Sequence, residues 1–322
     1  MKAKKKTLVF NMILTVFICV SAILFIMPTV LTIANSFMTS SEISANYGAM
    51  LGNMSSEKKV FISENVNLKF IPDKATVSQY KEVLFKNPEY LFKFWNSVIL
   101  TVPITLFQLA VAVLTSYGFS RYNGKVKNLI FFVYIILMLM PYQVTLVPNY
   151  LVADKLGFLE EINNTGIWRT LSEMKIMEDT TIISLKQRLA IILPGIFSPF
   201  SVFLLTKVMR RIPVSYVEAA KLDGANEWQI MTQIFLPLCK SALVSIGMLV
   251  FIDYWNMVEQ PIILMKDSEL HPLSVFLSQI NTGDIGLAFA VGVVYMIPTI
   301  LMFLYGEDYL VEGITYSGGI KG

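Results

Sequence analysis

The stretch Arg210-Arg211-Ile212-Pro213-Val214-Ser215-Tyr216-Val217-Glu218-Ala219-Ala220-Lys221-Leu222-Asp223-Gly224-Ala225-Asn226-Glu227-Trp228-Gln229 continues through Ile230 to Leu236-Pro237. It encodes a helix, a sharp turn and a second helix. Pro213 has a fixed φ and no N–H, which suits the first turn of a helix. Gly224 accepts a positive φ and so predicts that helix's end. Asn226 with Gln229 three residues on has the form of a capping box and opens the second helix. Pro237 marks a break behind it. Ala219 and Ala220 let another surface approach closely, and Glu218 offers one fixed negative charge beside them.

Outward from this segment the chain turns apolar. Of 322 residues, 55% are hydrophobic and 15% charged, against roughly 25% charged in a soluble domain. Too little polar surface exists to cover this apolar mass in water, which excludes a soluble enzyme and a disordered chain. A bilayer core ~30 Å thick takes about 20 apolar residues per helix. Six runs qualify, at 8–34, 94–119, 129–150, 189–206, 241–264 and 285–305. The first follows Lys2, Lys4, Lys5 and Lys6, but it is longer than a signal-peptide core and ends in no cleavage-type triplet, so it reads as a retained span. The expectation is an all-α polytopic membrane protein. It has a tail and first span over 1–34, an extracytoplasmic cap over 35–93, a five-span core over 94–310 and a tail over 311–322. The core carries an outer insertion at 151–188 and an inner loop at 207–240.

With the N-terminus inside, the inner segments hold 13 Lys and Arg against 4 Asp and Glu, and the outer ones 13 against 15 over nearly twice the length. The positive-inside rule therefore places both termini in the cytoplasm.

Soluble chemistry finds no constellation here. Cys19 and Cys239 lie in or beside apolar runs without ligand partners, and His271 is the single histidine. Gly118 to Lys125 has a phosphate loop's outline, but its glycines are one residue too far apart and Val126 replaces the magnesium-holding hydroxyl. No nucleotide, metal or cofactor site is expected, and a net charge of +3 implies no nucleic-acid partner. Asn53-Met54-Ser55 and Asn163-Asn164-Thr165 match the glycosylation pattern by chance.

Glu218-Ala219-Ala220, Asp223-Gly224-Ala225 and Leu236-Pro237 together resemble the EAA loop of ABC importer permeases. Asn96-Ser97, Met140-Pro141, Leu193-Pro194, Pro199-Phe200, Trp255-Asn256 and the tail from Leu310 to Gly322 narrow the resemblance to the carbohydrate-type, MalG-like branch. It covers about residues 94–322 well. The resemblance implies half of a type I importer, paired with a homologous second permease, two ATPase subunits and an extracytoplasmic solute-binding protein. ATP and magnesium would sit on the ATPases. The EAA helix would dock in a cleft of the ATPase, with Glu218 facing a basic residue. ATP-driven closure would rock the bundle between inward-open and outward-open states. From spacing alone, Glu218 reads equally as a surface pair with Lys221.

Two polar stripes suggest a path for the solute. Ser97, Thr101, Thr105 and Gln108 recur on one helical face of the second span. Ser241, Ser245, Asp253, Asn256 and Gln260 recur on one face of the fifth. They line a hydrophilic route for an oligosaccharide, or they only bond helix to helix. Asp253 lies about ten residues, roughly 15 Å, from the outer end of its span, which puts it near the midplane. A carboxylate there costs ~2.5–3.5 kcal/mol, and the family usually has a small residue at this position. It helps hold the solute, or it is a protonated or paired structural group. Ala288, Gly292, Tyr295 and Thr299 on the sixth span read as a close-packing face. The alternatives are a permease for a non-sugar nutrient, an ion-coupled transporter using Asp253, and a membrane enzyme for which no site is apparent.

Overall fold

The computed structural model describes residues 2–39, 41–43, 45–47, 68–122, 124–159, 179–279 and 285–318. Both glycosylation-pattern sites, most of the 160–186 insertion and residues 319–322 of the tail lie outside these. Described residues in regular elements are helical. The long helices are α1 (Lys2–Ser36), α2 (Pro88–Arg121), α3 (Lys125–Met138), α4 (Tyr142–Lys155), α5 (Asp179–Gly195) and α6 (Pro199–Met209). They continue with α7 (Val214–Leu222), α8 (Glu227–Leu238), α9 (Lys240–Trp255), α10 (Glu259–Leu264), α11 (Leu273–Ser278) and α12 (Ile285–Gly318).

Among the described residues, four stretches are long and apolar enough to cross a membrane, at Phe10–Ser36, Pro88–Arg121, Thr181–Met209 and Gly286–Leu310. Two bent pairs add to these: α3 with α4 at 103°, and α8 with α9 at 77°. The third span is therefore not the straight rod over 129–150 that its hydropathy suggests. Leu139 and Met140 close α3, and Pro141 stands extended (ψ 138°) before α4. Proline lacks the N–H and disfavours helix at the residue before it.

Pro199 and Pro261 act through the carbonyl four residues back. Pro199 cannot bond Gly195 O, which instead accepts the Tyr254 hydroxyl at 3.4 Å. Pro261 cannot bond Met257 O, which accepts Ser274 Oγ at 2.5 Å. The fourth run is thus split into α5 and α6. The fifth run, expected unbroken to residue 264, ends α9 at Trp255 and restarts at Glu259. Unbonded backbone at membrane depth persists only where protein or a water-filled cavity satisfies it.

The chain divides into two compact units, Met1–Phe92 with Leu277–Ile297, and Lys93–Phe276 with Pro298–Gly322. In the first, Asn35 Nδ2 donates to Tyr47 Oη at 2.7 Å, and Gln79 Nε2 donates to Met38 O at 2.6 Å. The Ser36 and Tyr80 hydroxyls lie 2.6 Å apart. These bonds gather the described parts of 35–92 onto the end of α1. Much of the rest of α1 is bare, with Phe25 85% exposed, a surface suited to lipid or to other apolar helices. Gly292 of α12 faces Thr32 of α1, whose Cγ2 would lie 3.6 Å from an added Cβ. Ala290 and Val291 beside it are fully buried.

The second unit has two apolar clusters. One joins Val113, Tyr117 and Phe119 of α2 to Val202, Leu205 and Met209 of α6, with Val217, Ile230, Met231 and Phe235 from the 213–237 segment. The other joins Leu100 and Ile104 to Ala190, Ile191, Met257 and Leu264.

Candidate functional site

The segment over 213–237 forms the expected elbow. Pro213 caps α7 from just outside it, at ψ 139°. Gly224 takes φ +83°. Asn226 Oδ1 accepts from Gln229 N at 2.9 Å, and Gln229 Oε1 accepts from Asn226 N at 2.8 Å, which completes the capping box. The helix beyond widens into a π turn over Met231–Phe235. One side of the elbow is keyed into the bundle: Val217, Ile230, Met231 and Phe235 are buried, and Phe235 meets Tyr117 edge to face at 5.0 Å.

The other side is bare. Glu218, Ala219, Asp223, Gly224 and Pro237 are exposed, whereas Ala220, Ala225 and Leu236 are half-buried against the core. Leu222 is 89% exposed, and Val214, Tyr216 and Trp228 are open beside it. Lys221 does not pair with Glu218. Its ammonium bonds Glu227 at 2.7 Å, and Glu227 also accepts the Tyr117 hydroxyl at 2.5 Å. Lys221, then Tyr117, hold the Glu227 carboxyl below the usual carboxylate range. Among the described residues, Glu218 has neither ion pair nor hydrogen bond.

A second feature lies where the helices break. A cavity of about 530 Å³ is walled by Met140 and Tyr142 from the α3–α4 break, Gly195 and Ser198 from the α5–α6 break, and Tyr254 and Gln260 from either side of the α9–α10 break. A second, of about 360 Å³, is walled by Gln108, Ser198, Leu249, Asp253 and Tyr254 among others. Ser198 and Tyr254 line both.

The expected path residues separate when placed. Ser97, Thr101, Thr105 and Gln108 do share a buried face of α2, and of the four Gln108 lines one of these two cavities. Ser97 Oγ accepts from Leu273 N at 2.9 Å and donates to Lys93 O, and Thr105 bonds Thr101 O. The fifth-span stripe is not one continuous face, because the helix breaks within it. Ser245 bonds Ser241 O and Tyr309 O and serves packing. Asn256 Nδ2 turns back to Ile252 O. Asp253 and Gln260 open onto the two different cavities. Asp253 also stands two residues from the end of α9, beside the break, rather than in the middle of an unbroken rod.

Several functional residues escape a reading by span. Tyr117 and Glu227, 110 positions apart, join elbow to bundle. Ser198 and Tyr254 are shared cavity walls. Arg188 Nη2 donates to Asn96 Oδ1, and Asn96 Nδ2 donates to Glu269 O, both at 2.8 Å, which ties α5 to α2 and the 268–270 turn. The prolines at 199 and 261 were the available signal, since each leaves a carbonyl for a distant hydroxyl. No three His, Cys, Asp or Glu side chains among the described residues lie together as a metal site.

The second unit thus combines helix breaks that line cavities with an elbow whose outer face is bare. Residues 108–314 match the family model for the binding-protein-dependent transport system inner membrane component. The chain belongs to that family. It is a multi-pass membrane component of a transport system that depends on a solute-binding protein. It is 25% identical over 318 residues to the arabinooligosaccharides transport system permease protein AraQ of Bacillus subtilis (strain 168), covering 98% of this chain and 97% of that protein. It is 25% identical over 227 residues to the lactose transport system permease protein LacG of Rhizobium radiobacter, covering 70% and 74%. Its fold resembles that of a chain in a bacterial ABC transporter involved in the import of the acidic polysaccharide alginate, with a TM-score of 0.70, 20% identity and coverage of 94% and 96%.

Proposed function

We propose that this chain is one of two permease subunits in an ATP-driven importer that moves an oligosaccharide into the cell. The solute-binding protein delivers the solute from outside. A homologous permease completes the route, and two ATPase subunits, holding ATP and magnesium, drive it. This chain supplies neither catalysis nor a cofactor of its own. Both termini and the elbow lie in the cytoplasm, which the excess of Lys and Arg in the inner segments supports. The sugar assignment draws support from the names of the relatives, which span arabinooligosaccharide, lactose and diacetylchitobiose permeases.

The observation that carries the reading is the two-sided elbow. Its inner side is locked to α2, α6 and α8, so a displacement of α7 reaches the bundle as a rigid-body motion. Its outer side presents the unpaired Glu218 and the exposed Leu222, a charge ringed by apolar contacts of the kind a protein partner buries. ATPase closure pushes on this face, and the helix breaks, where few backbone bonds need to be exchanged, give the bundle room to tilt. Gln108, Asp253 and Gln260, on the cavities between those breaks, meet the solute.

Co-expression with the neighbouring transport genes, followed by affinity capture on this chain, tests the reading. The ATPase and second permease are expected to co-purify, and Glu218→Arg to lose the ATPase while the two permeases stay paired. An assembled Glu218→Arg complex with unchanged ATP-driven uptake would remove the docking assignment.

A further inference from the structure

The smaller of the two cavities has a single charged side chain, Asp253, on a wall otherwise built of Gln108, Ser198, Tyr254 and apolar Phe200, Leu249 and Val250. Asp253 is exposed to it and, among the described residues, makes no ion pair or hydrogen bond. Gln108 is 2% exposed, and its Nε2 is committed to Ser201 Oγ at 2.8 Å, while its Oε1 has no partner. The Tyr254 hydroxyl is committed as a donor to Gly195 O. The Gln108 Oε1 is itself sealed from the cavity, and Ser198 only accepts, so its O–H stays a neutral donor; the one charged group this wall offers a solute is the Asp253 carboxylate. No Lys or Arg stands among its described residues. The N-terminus of α6 begins on the same wall, at Ser198, and its positive end amounts to about half an elementary charge at most. Ser198 Oγ already takes the Ser201 N–H. The full charge of Asp253 outweighs it.

We propose that this wall selects by charge: the route accepts solutes that present hydroxyl or ammonium donors and excludes those that present carboxylates, with Asp253 as the specificity-determining residue. The inference rests on the reading of the cavity as part of the solute's route. An anionic sugar here would face a like charge, with no cation on the wall to offset it. A neutral or amino-bearing oligosaccharide would donate to the Asp253 carboxylate. In a partly desolvated cavity, a like charge about 5 Å away is worth roughly tenfold or more in occupancy.

The test reads the cavity's field directly. Cys19→Ala and Cys239→Ala remove the native thiols, and Leu249→Cys places one on the wall a helical turn before Asp253. In the assembled, reconstituted transporter, the rates of modification by a cationic and an anionic methanethiosulfonate are compared, each divided by its rate with a free small thiol. The cationic reagent is expected to be favoured about tenfold. Asp253→Asn should bring the ratio near one, and Asp253→Glu should keep it. A ratio near one with Asp253 present, a ratio unmoved by Asp253→Asn, or a thiol untouched by both reagents with and without ATP would each overturn the proposal. Uptake of arabinotriose and of trigalacturonate in the same proteoliposomes separates the two readings. Uptake of neither sugar with the tenfold ratio intact rejects the carbohydrate assignment alone. Uptake of arabinotriose with a ratio near one rejects the charge filter alone.

Discussion

Gly224 holds φ +83°, and no atom lies within 4 Å of where a Cβ would stand. A substitution there is limited by backbone geometry and not by space. The left-handed conformation costs an ordinary residue about 1–2 kcal/mol, whereas asparagine visits it readily. Gly224→Asn is thus expected to keep uptake close to the parent's. Gly224→Val should lose ~1–2 kcal/mol or more from the elbow, seen as faster proteolysis between residues 220 and 227 and as reduced ATP-driven uptake. Equal behaviour of the two variants would mean that the turn does not set the elbow's shape. Gly195 presents the opposite case. An added Cβ would meet Ile104 Cγ2 at 3.0 Å and the Tyr254 hydroxyl at 3.2 Å. Gly195→Val should cost ~1–3 kcal/mol by overpacking, read as a lower melting temperature of the detergent-solubilised complex.

At the scale of elements, the elbow is held by a few bonds whose loss can be ranked. Asn226→Ala removes the cap of α8 and should cost ~1 kcal/mol. Tyr117→Phe removes a hydrogen bond to a carboxylate. Because Glu227 keeps Lys221, the loss is expected to stay near the low end of the ~1.5–3 kcal/mol usual for bonds to charged groups. The functional effect should be larger than the stability effect, since this bond ties α8 to α2, whose Gln108 lies on the smaller cavity. ATP hydrolysis continuing while uptake per ATP falls is the expected signature for Tyr117→Phe. Unchanged uptake per ATP would show that the contact is structural only. The Pro199 and Pro261 breaks obey the same logic: each withdraws one N–H, and a hydroxyl from another helix closes the gap.

For the whole molecule, the bare surfaces set the expectations. Leu222, 89% exposed, should have a covering partner in the assembled transporter. In a background without native cysteines, Leu222→Cys is expected to react with a membrane-impermeant maleimide only from the cytoplasmic side. Adding the ATPase subunits should slow that reaction at least tenfold. Labelling from outside would reverse the assigned orientation, and labelling unchanged by the ATPase would remove the docked elbow. The apolar flank of α1 should stay inaccessible to such a reagent throughout, because its surroundings are lipid or another apolar helix.

Composition and local turn chemistry determined that this chain is a helical membrane protein with a two-helix elbow. An apolar mass that water cannot cover, helices long enough for a bilayer, and an elbow written in proline, glycine and an Asn–Gln cap are properties of neighbouring residues, so they are legible in one dimension. Tertiary structure decided where the long runs bend and which polar residues meet. Residues 129–150 and 241–264 look continuous to hydropathy, which weighs side chains and ignores a missing N–H. A carbonyl orphaned by proline persists only if a partner such as Tyr254 or Ser274 arrives from elsewhere in the fold. For the same reason the stripes of α2 and α9 came apart: Ser97 and Ser245 were claimed by packing, while Gln108 and Asp253 line a cavity.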